Sequence, residues 1–186
     1  LLPFTDEEVA RYGFSARAIR MKLLARGQAH TLAHSDGIIF LTQHARHVLL
    51  TKYPFLKLIQ QSVIHHGIDP IFTYHDIEER NGTDPVRLLY VSTVDFYKHQ
   101  WNVVSSVSNL RKEGFNIQLT LVGSAYRPAL DKLKVTIQKV DPTLTFIKYE
   151  GAIDYVDLPS YYQHADLFIF ASSCETFGIS LLEAMA

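Results

Sequence analysis

Apolar and polar positions change their period partway along the chain. Between about residues 15 and 34, Ala18, Met21, Leu24 and Ala25 recur at three- and four-residue steps, the spacing of one helical face. Ahead of them, Thr5-Asp6-Glu7-Glu8 sets a hydroxyl three residues before a carboxylate, which predicts a capping box. Residues 36–41 form a short apolar run typical of a buried parallel strand. Thr42 is placed to cap the helix that follows, which must end before Pro54. Residues 62–70 read as a strand running into a loop. Asn81-Gly82-Thr83-Asp84-Pro85 is the densest cluster of turn residues, so a boundary is expected between about Gly67 and Pro85.

Beyond that boundary strands and helices alternate. Strand-like 87–91 precedes helix-like 99–112, and 117–122 precedes a helix near 127–139. Residues 144–149 precede a short helix near 158–164, and 166–171 precede a last helix from about Gly178. This alternation predicts an α/β fold: a Rossmann-like, doubly wound parallel sheet with right-handed crossovers. Only two strand candidates lie before residue 62, so the first part is expected to be a partial second α/β domain. Apolar helix residues around Leu23, Leu24 and Val48 should then be exposed, or covered by a neighbour.

Composition adds limits. Of 186 residues, 47% are apolar and 20% charged, the balance of a folded domain rather than a disordered one. A formal net charge of -1 gives no reason to expect a nucleic-acid partner. The apolar runs are strand-length, well short of the ~20 residues that span a bilayer, and no signal-peptide pattern opens the chain. A lone cysteine, Cys174, excludes an intramolecular disulfide. There is no initiator Met, and residues 183–186 stop inside an expected helix without a capping Gly or Asn, so the chain is expected to be part of a longer protein.

Ligands of such sheets bind beyond the carboxyl ends of the strands. Two loops fall there: residues 92–99, Ser-Thr-Val-Asp-Phe-Tyr-Lys-His, and residues 172–178, Ser-Ser-Cys-Glu-Thr-Phe-Gly. The second opens into a helix, whose free amides and positive dipole end favour phosphate, and Gly178 permits close approach of a ligand to the backbone. Glu175 and Glu183 lie eight positions apart across this helix start. Carboxylates suit paired hydroxyls of a sugar or ribose, although two glutamates near a helix start are more often a solvated pair that stabilises the dipole.

Residues 164–186 resemble the signature of family-four glycosyltransferases (glycosyl transferases group 1), in which two glutamates flank seven residues and the first is followed by Gly/Thr-Phe-Gly. Other segments resemble the family in the same order: 36–50, the last strand and helix of its acceptor domain; 63–69, its interdomain Asn-Gly-Val-Asp segment; and Leu119-Thr120-Leu121-Val122-Gly123, its second donor-domain strand. The resemblance implies a retaining enzyme of GT-B fold. Residues 1–66 would be the end of the acceptor domain, 67–85 the linker, and 86–186 the nucleotide-sugar donor domain. Glu175 would contact the transferred sugar near the reaction centre. Phe177, Gly178 and Ile179 would offer backbone amides to sugar hydroxyls and diphosphate, and Glu183 would hold the ribose. Lys98 would neutralise the leaving diphosphate, beside Ser92 and Thr93 in the donor site. The family usually carries Gly-Arg where Ser92-Thr93 stand, so a bidentate phosphate partner is absent; Arg127 and His99 are the candidates to replace it.

The same resemblance implies no cofactor and no metal. The partners would be a nucleotide-sugar donor and a carbohydrate or lipid-linked sugar acceptor. The enzyme would be cytoplasmic, working in cell-surface polysaccharide synthesis, with peripheral attachment to the inner face of the membrane. A second reading is a non-catalytic nucleotide-sugar binding or interaction module of the same fold, which Thr93 favours and the glutamate pair opposes. Elsewhere the ordinary readings prevail. Lys98 taken alone would be a solvated lysine, and its place in the first loop is what raises it above that; Cys174 is a small buried hydrophobe. His30 with His34 and His44 with His47 are surface or packing pairs, because no third ligand is in register. His65 and His66 are loop residues. Trp101, Tyr161 and Tyr162 pack helix against sheet.

Overall fold

The computed structural model describes residues 1–73 and 83–186. The expected linker 67–85 therefore falls partly, and its Asn81-Gly82 turn wholly, outside the described residues. Two compact units are present: Leu1–Gly67 with Ser173–Ile179, and Ile68–Ser172 with Ser180–Ala186. The stretch Ser173–Ile179, read from sequence as donor-domain loop, packs with the first unit.

The first unit carries α1 (Asp6–Ala10), α2 (Ala16–Ala33), β1 (Gly37–Phe40), α3 (Gln43–Lys52) and β2 (Gln60–Val63). β1 and β2 pair in parallel as a two-stranded sheet. Ile38, Phe40, Leu49 and Leu56 form its core. Ser15 and Thr42 cap α2 and α3, their hydroxyls accepting from Ala18 N and Ala45 N, which secures amides that a helix start leaves unpaired. Thr5 does not complete the expected capping box: it makes no side-chain cap bond to α1. Instead its hydroxyl lies 3.7 Å from Cys174 Sγ. α2 buries Ala18, Met21, Ala25 and Ala29. Leu23 and Leu24 are exposed, as expected of a partial domain; Leu24 leaves the periodic face because the small alanines form a narrow contact stripe and it falls beside it.

The second unit is a four-stranded parallel sheet of order β5-β4-β3-β6, built from β3 (Val86–Val91), β4 (Ile117–Val122), β5 (Ile147–Gly151) and β6 (Leu167–Phe168). The connecting helices are α4 (Gln100–Lys112), α5 (Arg127–Val140) and α6 (Leu158–Gln163). The chain steps outward from β3 to β5, then returns past β3 to β6. Right-handed crossovers put α4 and α5 on one face and α6 on the other. The side chains agree: Tyr90, Leu119, Leu121 and Ile147 pack with Val104 and Leu133, whereas Leu89 and Val122 pack with Leu158 and Phe72. Each fully buried leucine here contributes about 1.5–3 kcal/mol.

Two strands differ from the pattern along the chain. β5 begins at Ile147 rather than near 144. Leu144 adopts left-handed φ 55, and the buried Asp141 carboxylate takes the amides of Thr145, Phe146 and Ile147 at 2.8–2.9 Å, so residues 144–146 turn rather than extend and the strand starts only at Ile147. β6 is two residues long instead of reaching Ala171. Among the described residues it pairs on one side only, with β3. Its last tie to the ladder is Ile169 N to Leu89 O at 2.8 Å. Asp166 anchors its start, accepting from Arg87 N at 2.6 Å and from the Arg87 guanidinium at 3.1 Å through Nη2.

Candidate active site

The reversal in strand order occurs between β3 and β6. At such a switch point the connections leave in opposite directions and open a crevice at the carboxyl ends. The loop after β3 is tightly built. Ser92 N donates to Val122 O at 2.8 Å and Val94 N to Ser124 O at 2.7 Å. Asp95, fully buried, accepts from Phe96 N at 2.7 Å and starts the 3-10 turn Phe96–Lys98. His99 follows in the left-handed region at φ 57, a conformation that costs a residue with a Cβ about 1–2 kcal/mol. Tyr90, buried in the strand, donates its hydroxyl to Lys98 O at 2.6 Å.

This arrangement buries Lys98 to 8% exposure. Its Nζ lies 5.1 Å from the Tyr97 ring centroid and 5.9 Å from that of Phe170, just past β6. Both ring faces favour a cation. Ser172 Oγ donates to Tyr97 O at 3.4 Å. The structure thus brings Lys98 beside Phe170, beyond the carboxyl ends of β3 and β6, with Ser172, the first residue of the second loop, bonded to its neighbour Tyr97.

Ser92 and Thr93 occupy the other end of the β3 loop. Gln100 Nε2 donates to Ser92 Oγ and to Thr93 O, each at 3.1 Å, and Thr93 Oγ1 sits 3.2 Å from Ser124 Oγ. The sequence reading missed Gln100 and the role of Gly123. A Cβ at Gly123 would lie 2.2 Å from Ser92 O, and φ there is +140, so only glycine lets β4 end against this loop. Arg127 pairs with Asp131 at 2.9 Å on the exposed side of α5, and the His99 ring lies against Trp101.

Glu175, Phe177, Gly178 and Ile179 lie together in the first unit. Glu175 is half-buried. Thr42 Oγ1 donates to Thr176 O at 3.0 Å, and the Phe177 ring meets His65 at 6.0 Å and His66 edge-on at 5.3 Å. Gly178 has φ 86, a second left-handed position that calls for glycine, and α7 (Ile179–Met185) begins directly after it. Burial raises the Cys174 thiol above its ordinary pKa, against a smaller downward pull from the Thr5 hydroxyl, in keeping with a packing role.

Glu183 projects from α7 into the second unit, 7% exposed. Its Oε2 accepts from Tyr162 OH at 2.8 Å. Burial first, then this bond, hold the Tyr162 phenol far above its ordinary pKa. Glu183 lines a cavity of about 220 Å³ with Phe72, Thr73, Tyr162 and Asp166. Tyr162 therefore both packs, 5.5 Å from Phe168, and serves a polar partner that chain spacing did not reveal. His34 bonds back to His30 O at 2.8 Å. Among the described residues no three of His, Cys, Asp and Glu cluster as a metal site would require, and no helix is long and apolar enough to cross a membrane.

With this geometry in hand, comparison with known proteins is informative. The chain is 28% identical to the alpha-monoglucosyldiacylglycerol synthase of Streptococcus pneumoniae, over 94% of this chain and 40% of that protein. It is also 28% identical to the glycogen synthase of Mycobacterium tuberculosis, over 69% of this chain and 30% of that one. Among solved structures it superposes on the sucrose-phosphate synthase of Thermosynechococcus elongatus with a TM-score of 0.73 at 23% identity, covering 95% of this chain and 45% of that one. An Anabaena protein solved with UDP and glucose gives 0.69 at 18%, covering 95% and 48%. The chain thus spans well under half the length of the curated relatives it matches, and its fold is that of the GT-B glycosyltransferases. The family model for glycosyl transferases group 1 matches residues 73–186, more than half of the sequence, and the chain belongs to that family.

Proposed function

We propose that the protein containing this chain transfers a sugar from a nucleoside-diphosphate donor to an acceptor with retention of anomeric configuration. The observation that carries this reading is Lys98, a buried cation beyond the carboxyl ends of β3 and β6, in a chain whose second loop and following helix carry Glu175 and Glu183 at the family spacing. As the bond from the anomeric carbon to phosphate breaks, negative charge grows on the departing diphosphate. A fixed ammonium in a site shielded from water stabilises that charge more than it stabilises the ground state. The backbone amides of Phe177, Gly178 and Ile179 would add donors to sugar hydroxyls and diphosphate, and Ser92 and Thr93 would border the donor. Glu175 would hold the transferred sugar near its reacting carbon, and Glu183 would take the ribose hydroxyls. This chemistry asks for neither metal nor cofactor, since Lys98 and the amides serve the diphosphate.

The S. pneumoniae relative is a synthase of a glucosylated diacylglycerol by name. A lipid or lipid-linked acceptor, reached by peripheral attachment at the inner face of the membrane, is the acceptor reading that fits this similarity; a carbohydrate acceptor fits the glycogen synthase. The test is Glu175→Gln in the full-length enzyme. The expected outcome is a fall in turnover of at least about ten-fold with nucleoside-diphosphate affinity nearly unchanged, the mark of an interaction made mainly in the transition state. Equal turnover in variant and parent would favour the non-catalytic binding module instead.

A further inference from the structure

The loop that bears Glu175 is gripped by residues outside the family signature. The Thr42 hydroxyl is used in both directions: it accepts from Ala45 N at 3.0 Å, capping α3, and donates to Thr176 O at 3.0 Å. A hydroxyl has one proton, and here that proton is committed to the loop. One residue earlier, Leu41 O lies 2.8 Å from His65 Nδ1, a contact that places the ring proton on Nδ1. The rings of His65 and His66 then flank Phe177. Thr176 and Phe177 are the two residues between Glu175 and Gly178. Their carbonyl and ring are therefore fixed by the end of β1 and by the segment after β2, elements of the first unit that lie more than a hundred residues away in sequence.

Consecutive Cα atoms are ~3.8 Å apart across a trans peptide, so holding Thr176 O also holds the Glu175 backbone. We propose that Thr42, supported by His65 and His66, is a positioning residue that sets the pose of Glu175. This proposal rests on the transferase reading above. The aromatic wall restrains Phe177 sideways, and the Thr42 bond restrains the peptide along its carbonyl axis. Loss of the bond leaves Thr176 O to turn toward water, and a displacement of roughly 1 Å at a reacting group can cost about 100-fold in rate.

The cap and the clamp can be separated. Asp at position 42 caps a helix about as well as a hydroxyl residue, but its carboxylate has no proton to give Thr176 O. Ser keeps both functions. In the full-length protein, Thr42→Asp is expected to keep the parent's thermal midpoint within about 2 °C, the spread of a few tenths of a kcal/mol. It is expected to lower kcat by roughly 10- to 100-fold and to speed amide hydrogen exchange across residues 173–179. Thr42→Ser is expected to restore both parent values. Parent-like turnover and exchange in Thr42→Asp overturn the proposal, as does a Thr42→Ser variant as slow as Thr42→Asp. Exchange is read without substrate. A parent that transfers no sugar from any nucleotide donor therefore defeats the transferase reading alone, while a change of exchange confined to α3 defeats the clamp alone.

Discussion

The Tyr162 hydroxyl donates to Glu183 Oε2 at 2.8 Å, joining α6 to α7 inside the second unit. Among the described residues it is the one hydrogen-bond partner of that buried carboxylate. Removing it with Tyr162→Phe should cost about 1–3 kcal/mol, the range for stranding a buried polar group, read as a lower denaturant midpoint. The alkaline limb gives an independent check. Tyr162 has its folded pKa raised, by burial first and Glu183 next, above the ordinary 10.0. The unfolded chain therefore loses that proton first, and stability present below pH 10 should fall as pH rises beyond it. Tyr162→Phe should flatten this limb by close to one proton; an unchanged slope would show that Tyr162 ionises normally.

Lys98 offers a test of the diphosphate assignment. Lys98→Met keeps an apolar stem against Tyr97 and Phe170 and removes the charge. Titration calorimetry with UDP and GDP should show affinity reduced about 10- to 100-fold, equivalent to ~1.5–3 kcal/mol for a charge-assisted contact. Uridine and guanosine should bind as before, since they carry no phosphate. Thr93 in place of the family arginine leaves fewer cations to share the load, so the loss should lie toward the upper end. Equal loss for nucleoside and diphosphate would remove Lys98 from the phosphate site.

Gly123 controls the shape of the same loop. Gly123→Ala places a methyl 2.2 Å from Ser92 O at a φ of +140. Ser92 O is a backbone atom and the methyl is fixed to the Gly123 backbone, so relief requires moving β4 or the loop. We expect destabilisation of roughly 3 kcal/mol or more with loss of diphosphate binding. A variant that melts and binds like the parent would mean that the loop yields freely.

Asp141 ends α5 and fixes the start of β5. Burial opposes its charge, but the amides of Phe146, Thr145 and Ile147 and the Thr145 hydroxyl outweigh it, holding the carboxyl below its ordinary 3.8. The unfolded chain thus takes up the proton first as pH falls. The stabilisation is complete above pH ~4, where both states are ionised, and is lost as pH drops through the folded value. Asp141→Ala should cost more than about 3 kcal/mol at pH 7, because several buried donors lose an ionised acceptor. It should also shrink the acid-induced loss of stability. Acid titration of the parent followed by circular dichroism, with the variant beside it, measures both.

Much of the second unit could be read along the chain. The runs around Leu88–Tyr90 and Leu119–Leu121 have strand length and are buried on both faces, and Trp101, Val104, Leu133 and Ile137 keep helical spacing. Local periodicity and burial agree there, so residue order was enough to place α4, α5, β3 and β4 within a residue or two. The spacing of Glu175 and Glu183 was likewise legible, because it lies within one continuous segment. What sequence could not supply was any partner set by chain return. The Tyr162 bond to Glu183, the approach of Gly123 to Ser92 and the Thr42 grip on Thr176 join residues brought together by β-strand crossovers. The burial of Lys98 likewise depends on such a return, which sets Phe170 beside it. Asp141 shortened β5 through hydrogen bonds that compete with strand extension, a contest decided by burial rather than by propensity. Sequence by itself determined the alternating elements and the chemical types at their ends, since those follow from short-range sterics and hydrophobic period. Only the tertiary structure decided which of those groups meet, because a hydrogen bond or a buried charge acts over about 3–5 Å between positions that the chain order leaves far apart.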